Sequence, residues 1–168
     1  MGLVELHLGD KGHQPEVPTS GKRKAYKVFG LIDYFSGRFF YKAHTGRFNS
    51  QSYATFLLDV LSQTTQHVVV IQDGARYHTS KAMQAFFEAH ADRLTIEQLP
   101  AYSPDFNPIE HLWKKMKKEA THLKHFPEFT DLQQEVDRAL LHFAQTPREI
   151  TVLMARYCEK LGRVDKAA

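Results

Sequence analysis

The chain has 168 residues, a hydrophobic fraction of 42% and a formal net charge of +3. This size suits one domain with a sizeable core, and the mild basic excess permits a nucleic-acid partner without requiring one. The only cysteine, Cys158, excludes an internal disulfide and favours a reducing cytoplasm, and no apolar run reaches the length of a membrane span.

Glycines and prolines punctuate residues 1–24, which predicts a loop with a short extended piece at Leu3 to Leu8. Ala25 to Asp33 and Arg38 to His44 are rich in aromatic and β-branched residues, and the turn residues between them predict a β-hairpin. Ser50 is expected to cap a helix with apolar residues at helical spacing, namely Tyr53, Phe56, Leu57, Val60 and Leu61.

The run from Val68 to Asp73 begins with four apolar residues without alternation, which predicts a strand buried on both faces of a sheet. Thr79 or Ser80 is expected to cap the next helix, and Leu94 to Leu99 is a further strand. The order of hairpin, helix, strand, helix, strand and helix predicts a mixed α/β sheet flanked by helices.

A long helix is predicted from Ile109, with apolar residues facing inward as far as Leu123 and Pro127 stopping it. Asn107 is expected at its N-cap, with Pro108 and Glu110 completing a capping pattern. Two further capping boxes predict a helical C-terminal tail, namely Thr130 with Gln133, and Thr146 and Pro147 with Glu149.

Two carboxylates stand where chemistry is expected. Asp73 ends a strand at the edge of the sheet where α/β proteins bind ligands, and Gly74 lets the chain turn there and lets a ligand approach. Glu110 opens the long helix, and carboxylate oxygens suit a divalent metal ion. The alternatives are that Asp73 only bonds loop amides and that Glu110 only bonds back to the helix cap.

Three kinds of supporting residue accompany the carboxylates. His78 could orient a carboxylate or contact a phosphate, or it could be a local hydrogen-bonding residue. Asn107 would set the start of the helix and so the direction of Glu110. The most basic stretch of the chain predicts a phosphate-binding rim, or alternatively a solvated helix face, on Lys114, Lys117 and Lys118.

The segments Ile71 to His78 and Leu99 to Trp113 resemble the catalytic domain of DDE transposases, in the bacterial insertion-sequence branch of the mariner-like superfamily. The most specific part is Tyr102-Ser103-Pro104 with Asn107-Pro108-Ile109-Glu110. Val28 to Asp33 and Gly46 to Ser50 are also similar, so the resemblance covers roughly residues 10–125.

This resemblance implies a ribonuclease H-like fold and two magnesium (or manganese) ions held by an Asp-Asp-Glu triad. Asp73 matches the second carboxylate and Glu110 the third. The implied activity is DNA strand cleavage at insertion-sequence ends followed by strand transfer, with the metals activating the attacking group. The implied partners are transposon-end and target DNA, bound by a homo-oligomer.

The resemblance places the first aspartate of the triad on a strand upstream of the hairpin, and we expect the chain to start past that strand. Asp10 lies in a glycine-flanked loop and is a poor substitute, and Asp33 matches a non-catalytic aspartate at the hairpin turn. We therefore expect an N-terminally incomplete endonuclease domain over residues 1–128, with a helical extension of the same domain over 129–168.

Such a chain could come from a truncated gene or a second reading frame, which makes an upstream-frame polypeptide a candidate partner. The alternative function is a catalytically inactive DNA-binding or oligomerising remnant that modulates a full-length transposase. A different ribonuclease H-like nuclease is disfavoured by the Tyr102 to Glu110 segment.

Overall fold

The structure is a computed structural model that describes residues 25–100 and 107–164. The expectations for Leu3 to Leu8, Asp10 and Tyr102 to Phe106 therefore lie outside the described residues. The elements in chain order are β1 (Lys27–Ile32), β2 (Phe39–His44), α1 (Ser50–Ser62), β3 (Val68–Gln72), α2 (Lys81–Ala89), β4 (Leu94–Gln98), α3 (Ile109–Ala120), α4 (Phe129–Gln145) and α5 (Pro147–Val164).

The strands form two separate pairs. β1 and β2 are antiparallel, with Lys27 opposite His44, and β3 and β4 are parallel, with Val68 opposite Leu94. The predicted hairpin is confirmed, and its turn is built by Asp33, which accepts hydrogen bonds from the backbone N–H groups of two turn residues. In the described ranges, no strand pairs with the other edge of β1 or of β3.

The hairpin is buried on both faces because alternate side chains enter two different cores. Phe29 and Phe40 pack with α1, whereas Phe39 packs with α3, α4 and α5. This alternation follows from the two-residue period of a strand. The hairpin is thus a middle layer between α1 on one side and the three C-terminal helices on the other.

The prediction that β3 is buried on both faces is wrong for the part of the chain described. Val70 and Gln72 face the core formed with α1, but Val69 and Ile71 are 59% and 60% exposed. The apolar run indicated a buried strand correctly, but it could not show that only one face has neighbours here.

The helices form where their apolar spacing predicts, but several begin with a different cap. Asn49, not Ser50, caps α1, because its side chain accepts from the Ser52 backbone N–H at 2.8 Å. Ser80 caps α2 as expected. The cap of α4 is Glu128 with Asp131, in place of the expected Thr130.

The C-terminal ends also differ from the prediction. α3 ends at Ala120, and Leu123 has a left-handed backbone with φ 56° and is 55% exposed, so it does not face inward. Pro147 is the first residue of α5 as expected, but the Thr146 hydroxyl donates to the His142 carbonyl at 2.8 Å and so serves the end of α4. None of the helices that the structure describes combines the length and apolarity needed to cross a membrane.

Candidate functional site

Asp73 follows the last residue of β3, at the end of a strand whose inward side chains are buried. Its carboxylate accepts a hydrogen bond from the Ala75 backbone N–H at 3.1 Å, which turns the chain away from the strand. The side chain is 59% exposed, so one lobe of the carboxylate is open to solvent. The predicted bond to loop amides is present, and it leaves room for a ligand.

His78 contacts both the side chain and the backbone carbonyl of Asp73. Its Nδ1 is 2.9 Å from the Asp73 carboxylate and 3.2 Å from the Asp73 carbonyl oxygen. Burial lowers the pKa of His78, and the hydrogen bonds and charge of Asp73 only partly oppose that shift. The imidazole is therefore neutral at pH 7 and orients the carboxylate without neutralising its charge. These contacts fit two of the alternatives from the sequence, a local hydrogen-bonding residue and a residue that orients the carboxylate.

A buried polar pair lies below this histidine. The Tyr53 hydroxyl donates to Gln72 Oε1 at 2.7 Å, and the Tyr53 ring contacts the imidazole of His78 with ring centres 4.2 Å apart. Burial is the main cause that raises the pKa of Tyr53, so this hydroxyl keeps its proton. The apolar spacing of α1 predicts only a core position for Tyr53. The sequence signal for its hydrogen bond was Gln72, a polar residue at an inward position of an apolar strand.

Glu110 is the second residue of α3 and is half-buried. Its backbone N–H donates to the Asn107 carbonyl at 3.1 Å. Among the described residues, its carboxylate has no hydrogen bond and no ion pair. The alternative bond back to the helix cap is not formed with any described residue, so within those ranges the carboxylate is available to another ligand.

The predicted N-cap role of Asn107 is wrong. The N-cap position of α3 is Pro108, with helical backbone angles, and no side chain makes a cap hydrogen bond there. The start of α3 is held instead by backbone bonds and by packing, because Leu112 is fully buried and the Trp113 ring lies against Gly30 of β1. These contacts orient the first turn of α3, where Glu110 lies.

Asp73 directly follows β3, and Glu110 lies in the first turn of α3. Within the described ranges, no contact joins the two side chains. In the same ranges, no three or more His, Cys, Asp and Glu side chains lie close enough to hold a metal ion. Among the described residues neither carboxylate has a charged partner, since His78 is neutral and no ion pair involves Glu110. Two uncompensated carboxylates can bind a cation more readily than carboxylates already in ion pairs.

The basic stretch that begins in α3 and continues to Lys124 contains two kinds of cation, those in ion pairs and those without one among the described residues. Lys115 forms ion pairs with Glu119 and, at 3.4 Å, with Glu149, and Lys124 pairs with Glu135 at 2.8 Å. The side chains of the three lysines predicted to contact DNA are exposed and unpaired among the described residues, namely Lys114, Lys117 and Lys118. Their positions continue the flank of α3 that begins at Glu110, which is compatible with the predicted phosphate-binding rim.

The comparisons with known proteins agree with this architecture. A solved structure of the Mos1 transposase paired-end complex with left transposon end is similar, with a TM-score of 0.55 at 17% sequence identity. The likeness covers 87% of this chain and 49% of that one, so the chain spans about half the length of that transposase. It confirms the predicted ribonuclease H-like α/β fold. No curated protein matches the chain.

The sequence model of the DDE superfamily endonucleases matches residues 6–133. The matched range includes Asp73, His78 and Glu110, and it ends within α4. Because the match extends over more than half of the sequence, the chain belongs to the DDE superfamily endonucleases.

Proposed function

We propose that the chain is a transposase catalytic domain that cleaves DNA strands at insertion-sequence ends and transfers them to a target. The observation that carries the proposal is that Asp73 and Glu110 both lack a cation partner in the part of the chain that the structure describes, in a member of an endonuclease superfamily. The similar Mos1 transposase structure is a complex with a transposon end, which supports DNA as the partner. We expect the active form to be a homo-oligomer assembled on DNA in the cytoplasm.

The donor chemistry fits a hard divalent cation, Mg²⁺ or Mn²⁺, because both residues offer carboxylate oxygens. Endonucleases of this superfamily generally use divalent metal ions. Such an ion supplies activation of the attacking water or hydroxyl and stabilises the leaving oxygen in phosphoryl transfer. Asp73, oriented by His78, and Glu110, on the first turn of α3, are the residues that we expect to hold it.

The lysines have a separate task, which is to position the DNA. Lys114, Lys117 and Lys118 present charge that no carboxylate among the described residues compensates. Contacts of this kind to phosphate oxygens position a duplex without reading its sequence. We therefore expect binding to tolerate different sequences and to weaken steeply with salt as counterions are released.

Calorimetry with Mn²⁺ tests the carboxylates. Wild type should bind weakly, and Asp73→Ala and Glu110→Gln should each abolish the heat of binding. Asp59→Asn is the matched control, because Asp59 is a surface carboxylate already paired with Lys42. Equal binding by wild type and Asp73→Ala would exclude Asp73 as a ligand.

We infer that full activity needs one more carboxylate on one more strand. The described residues provide no third ligand beside Asp73 and Glu110, and β1 and β3 each have an edge that no described strand pairs. Free strand edges readily accept another strand. An upstream-frame polypeptide is our candidate for this strand, and the added carboxylate would complete the triad.

The test is nicking of a labelled DNA duplex that carries the element ends, with Mg²⁺ present. The chain alone should be nearly inactive, and addition of the upstream polypeptide should restore nicking that Glu110→Gln abolishes. Robust nicking by the chain alone, lost in Glu110→Gln, would show that a residue of this chain already supplies the first carboxylate.

The second candidate function is a non-catalytic DNA-binding remnant that modulates a full-length transposase. In the part of the chain described, no three His, Cys, Asp or Glu side chains are grouped so that they could hold a metal ion, which favours this candidate. This candidate predicts salt-sensitive DNA binding with no nicking even after the upstream polypeptide is added, and inhibition of an active transposase in the same assay.

A further inference from the structure

A groove between α3 and α5 has a volume of about 690 Å³ and lies beyond the residues that the endonuclease family explains. The family match ends at residue 133, whereas most of the groove lies at residues 145–156. α5 contributes Arg148, Val152 and Arg156, and α3 contributes Lys115. The proposed catalytic role therefore gives no function to most of the residues that line the groove.

The charge of the groove is positive where it is accessible. Arg148 and Arg156 are exposed, and neither guanidinium has a hydrogen bond or ion pair with the described residues. The carboxylate that lines the groove, Glu149, is already shared between His142 at 3.0 Å and Lys115 at 3.4 Å. The two arginines are thus the groove's uncompensated charges.

The spacing of the arginines suits a polyanion better than a single small anion. Arg148, Val152 and Arg156 follow each other at intervals of four residues and so lie along one stripe of α5. The separation of eight positions from Arg148 to Arg156 corresponds to roughly 12 Å along the helix axis. That length matches the axial rise of about three to four nucleotides of one DNA strand.

The groove also adjoins the lysines of α3. Lys115 lines it, and Lys114 and Lys118 are its neighbours on the same helix, one residue and about one turn away. We propose that Arg148 and Arg156 bind the sugar-phosphate backbone of DNA and extend the lysine surface of α3 onto α5. This inference rests on the proposed function, because it assumes that the lysine surface binds DNA.

The experiment compares the full chain with an Arg148→Gln/Arg156→Gln variant in binding a labelled duplex of unrelated sequence over a range of salt concentrations. The slope of log affinity against log salt should become shallower by about two, close to one for each lost phosphate contact. Affinity should fall equally for duplexes of different sequence. An Arg148→Lys/Arg156→Lys variant should retain most of the slope, because the charges remain.

The matched control is Arg138→Gln, an exposed arginine on α4 whose guanidinium pairs with Glu135 at 2.8 Å. It should leave affinity and slope unchanged. Far-UV circular dichroism and the midpoint of thermal unfolding show whether each variant is folded. Because both arginines are exposed and their guanidinium groups have no hydrogen bond or ion pair with the described residues, the midpoint should match wild type. A collapsed fold in the glutamine variant would overturn their assignment as surface residues.

A triple substitution of Lys114, Lys117 and Lys118 to Gln separates this inference from the proposed function. Loss of affinity in the lysine variant with none in the arginine variant overturns the groove assignment and leaves DNA binding in place. No change in either variant overturns both. A change in molecular mass by light scattering, with an unchanged salt slope, would identify the groove as a contact between copies of the chain.

Discussion

At the scale of single residues, the neutral His78 orients the Asp73 carboxylate and places no positive charge beside it. A protonated histidine at 2.9 Å would compensate the carboxylate and compete with a metal ion. Burial against Tyr53 and Tyr77, whose ring centres are each 4.2 Å from the imidazole, lowers its pKa and prevents that competition. The same burial makes the site sensitive to acid.

Because the pKa of folded His78 lies below its ordinary value of 6.5, the unfolded chain takes up a proton first as the pH falls. The contribution of His78 to the free energy of unfolding is therefore present above pH 6.5 and is lost as the pH falls through the lower folded pKa. We expect urea unfolding to show a steeper loss of stability from pH 7 to pH 5 in wild type than in His78→Asn, which keeps a donor for Asp73. Parallel profiles for the two proteins would contradict this.

The hydroxyl of Tyr53 is expected to stabilise the end of β3. Tyr53→Phe leaves Gln72 Oε1 buried without its donor, which should cost about 1–3 kcal/mol in the free energy of unfolding. Tyr77→Phe is the control in the same aromatic cluster, since the Tyr77 hydroxyl has no hydrogen bond with the described residues. Denaturant unfolding should show a much smaller change for the control, and equal changes would remove the special role of the Tyr53 bond.

At the scale of elements, the orientation of α3 depends on the close contact of its Trp113 ring with Gly30 of the hairpin. A Cβ atom built on Gly30 would lie 2.6 Å from Trp113 Cζ2 and 3.0 Å from Phe39 Cε2. Only glycine allows the indole to lie so close to β1. Since Trp113 follows Glu110 by about one turn, the same contact also sets where that carboxylate points.

Gly30→Ala should therefore displace α3, at a cost of about 1–3 kcal/mol from overpacking, and should weaken Mn²⁺ binding through Glu110. Trp113 is the only tryptophan, so its fluorescence reports the displacement directly. Gly46→Ala is the control, because the added methyl would meet only the movable side chain of His44. An unchanged emission spectrum with unchanged metal affinity would show that the glycine contact does not position the site.

At the scale of the whole molecule, the C-terminal helices share a core with the hairpin and α3. Leu140 of α4 is fully buried beside Leu112 of α3, and Ile150 of α5 is equally buried. The second core, of which Leu57 is part, lies on the opposite face of the hairpin. This arrangement supports the proposal that residues 129–168 extend the endonuclease domain and are not a domain of their own.

If that proposal is correct, the two cores should unfold together. Leu57→Ala and Leu140→Ala should each cost about 2–5 kcal/mol, and each should shift one common transition. Circular dichroism follows all helices, whereas the fluorescence of Trp113 follows the core that contains Leu140. In Leu57→Ala, a shift seen by circular dichroism and not by fluorescence would mean that the cores are independent domains.

The sequence by itself determined the order of the elements and the places of the two carboxylates. Apolar periodicity in α1 and the aromatic strands of the hairpin are local signals, and they are strong because burial of those side chains drives the fold. Asp73 at a strand end and Glu110 in a first helical turn follow from the same local patterns. The resemblance to DDE transposases indicated the family correctly.

Tertiary structure decided which charged groups are free to act. The sequence could not distinguish Lys115, which pairs with Glu149 of α5, from Lys114 beside it, which has no ion pair with the described residues. Nor could it show that His78 is neutral, or that the face of β3 carrying Ile71 is exposed while the hairpin is covered on both faces. Ion pairing and burial depend on neighbours far apart in the chain, and the pattern of nearby residues does not contain that information.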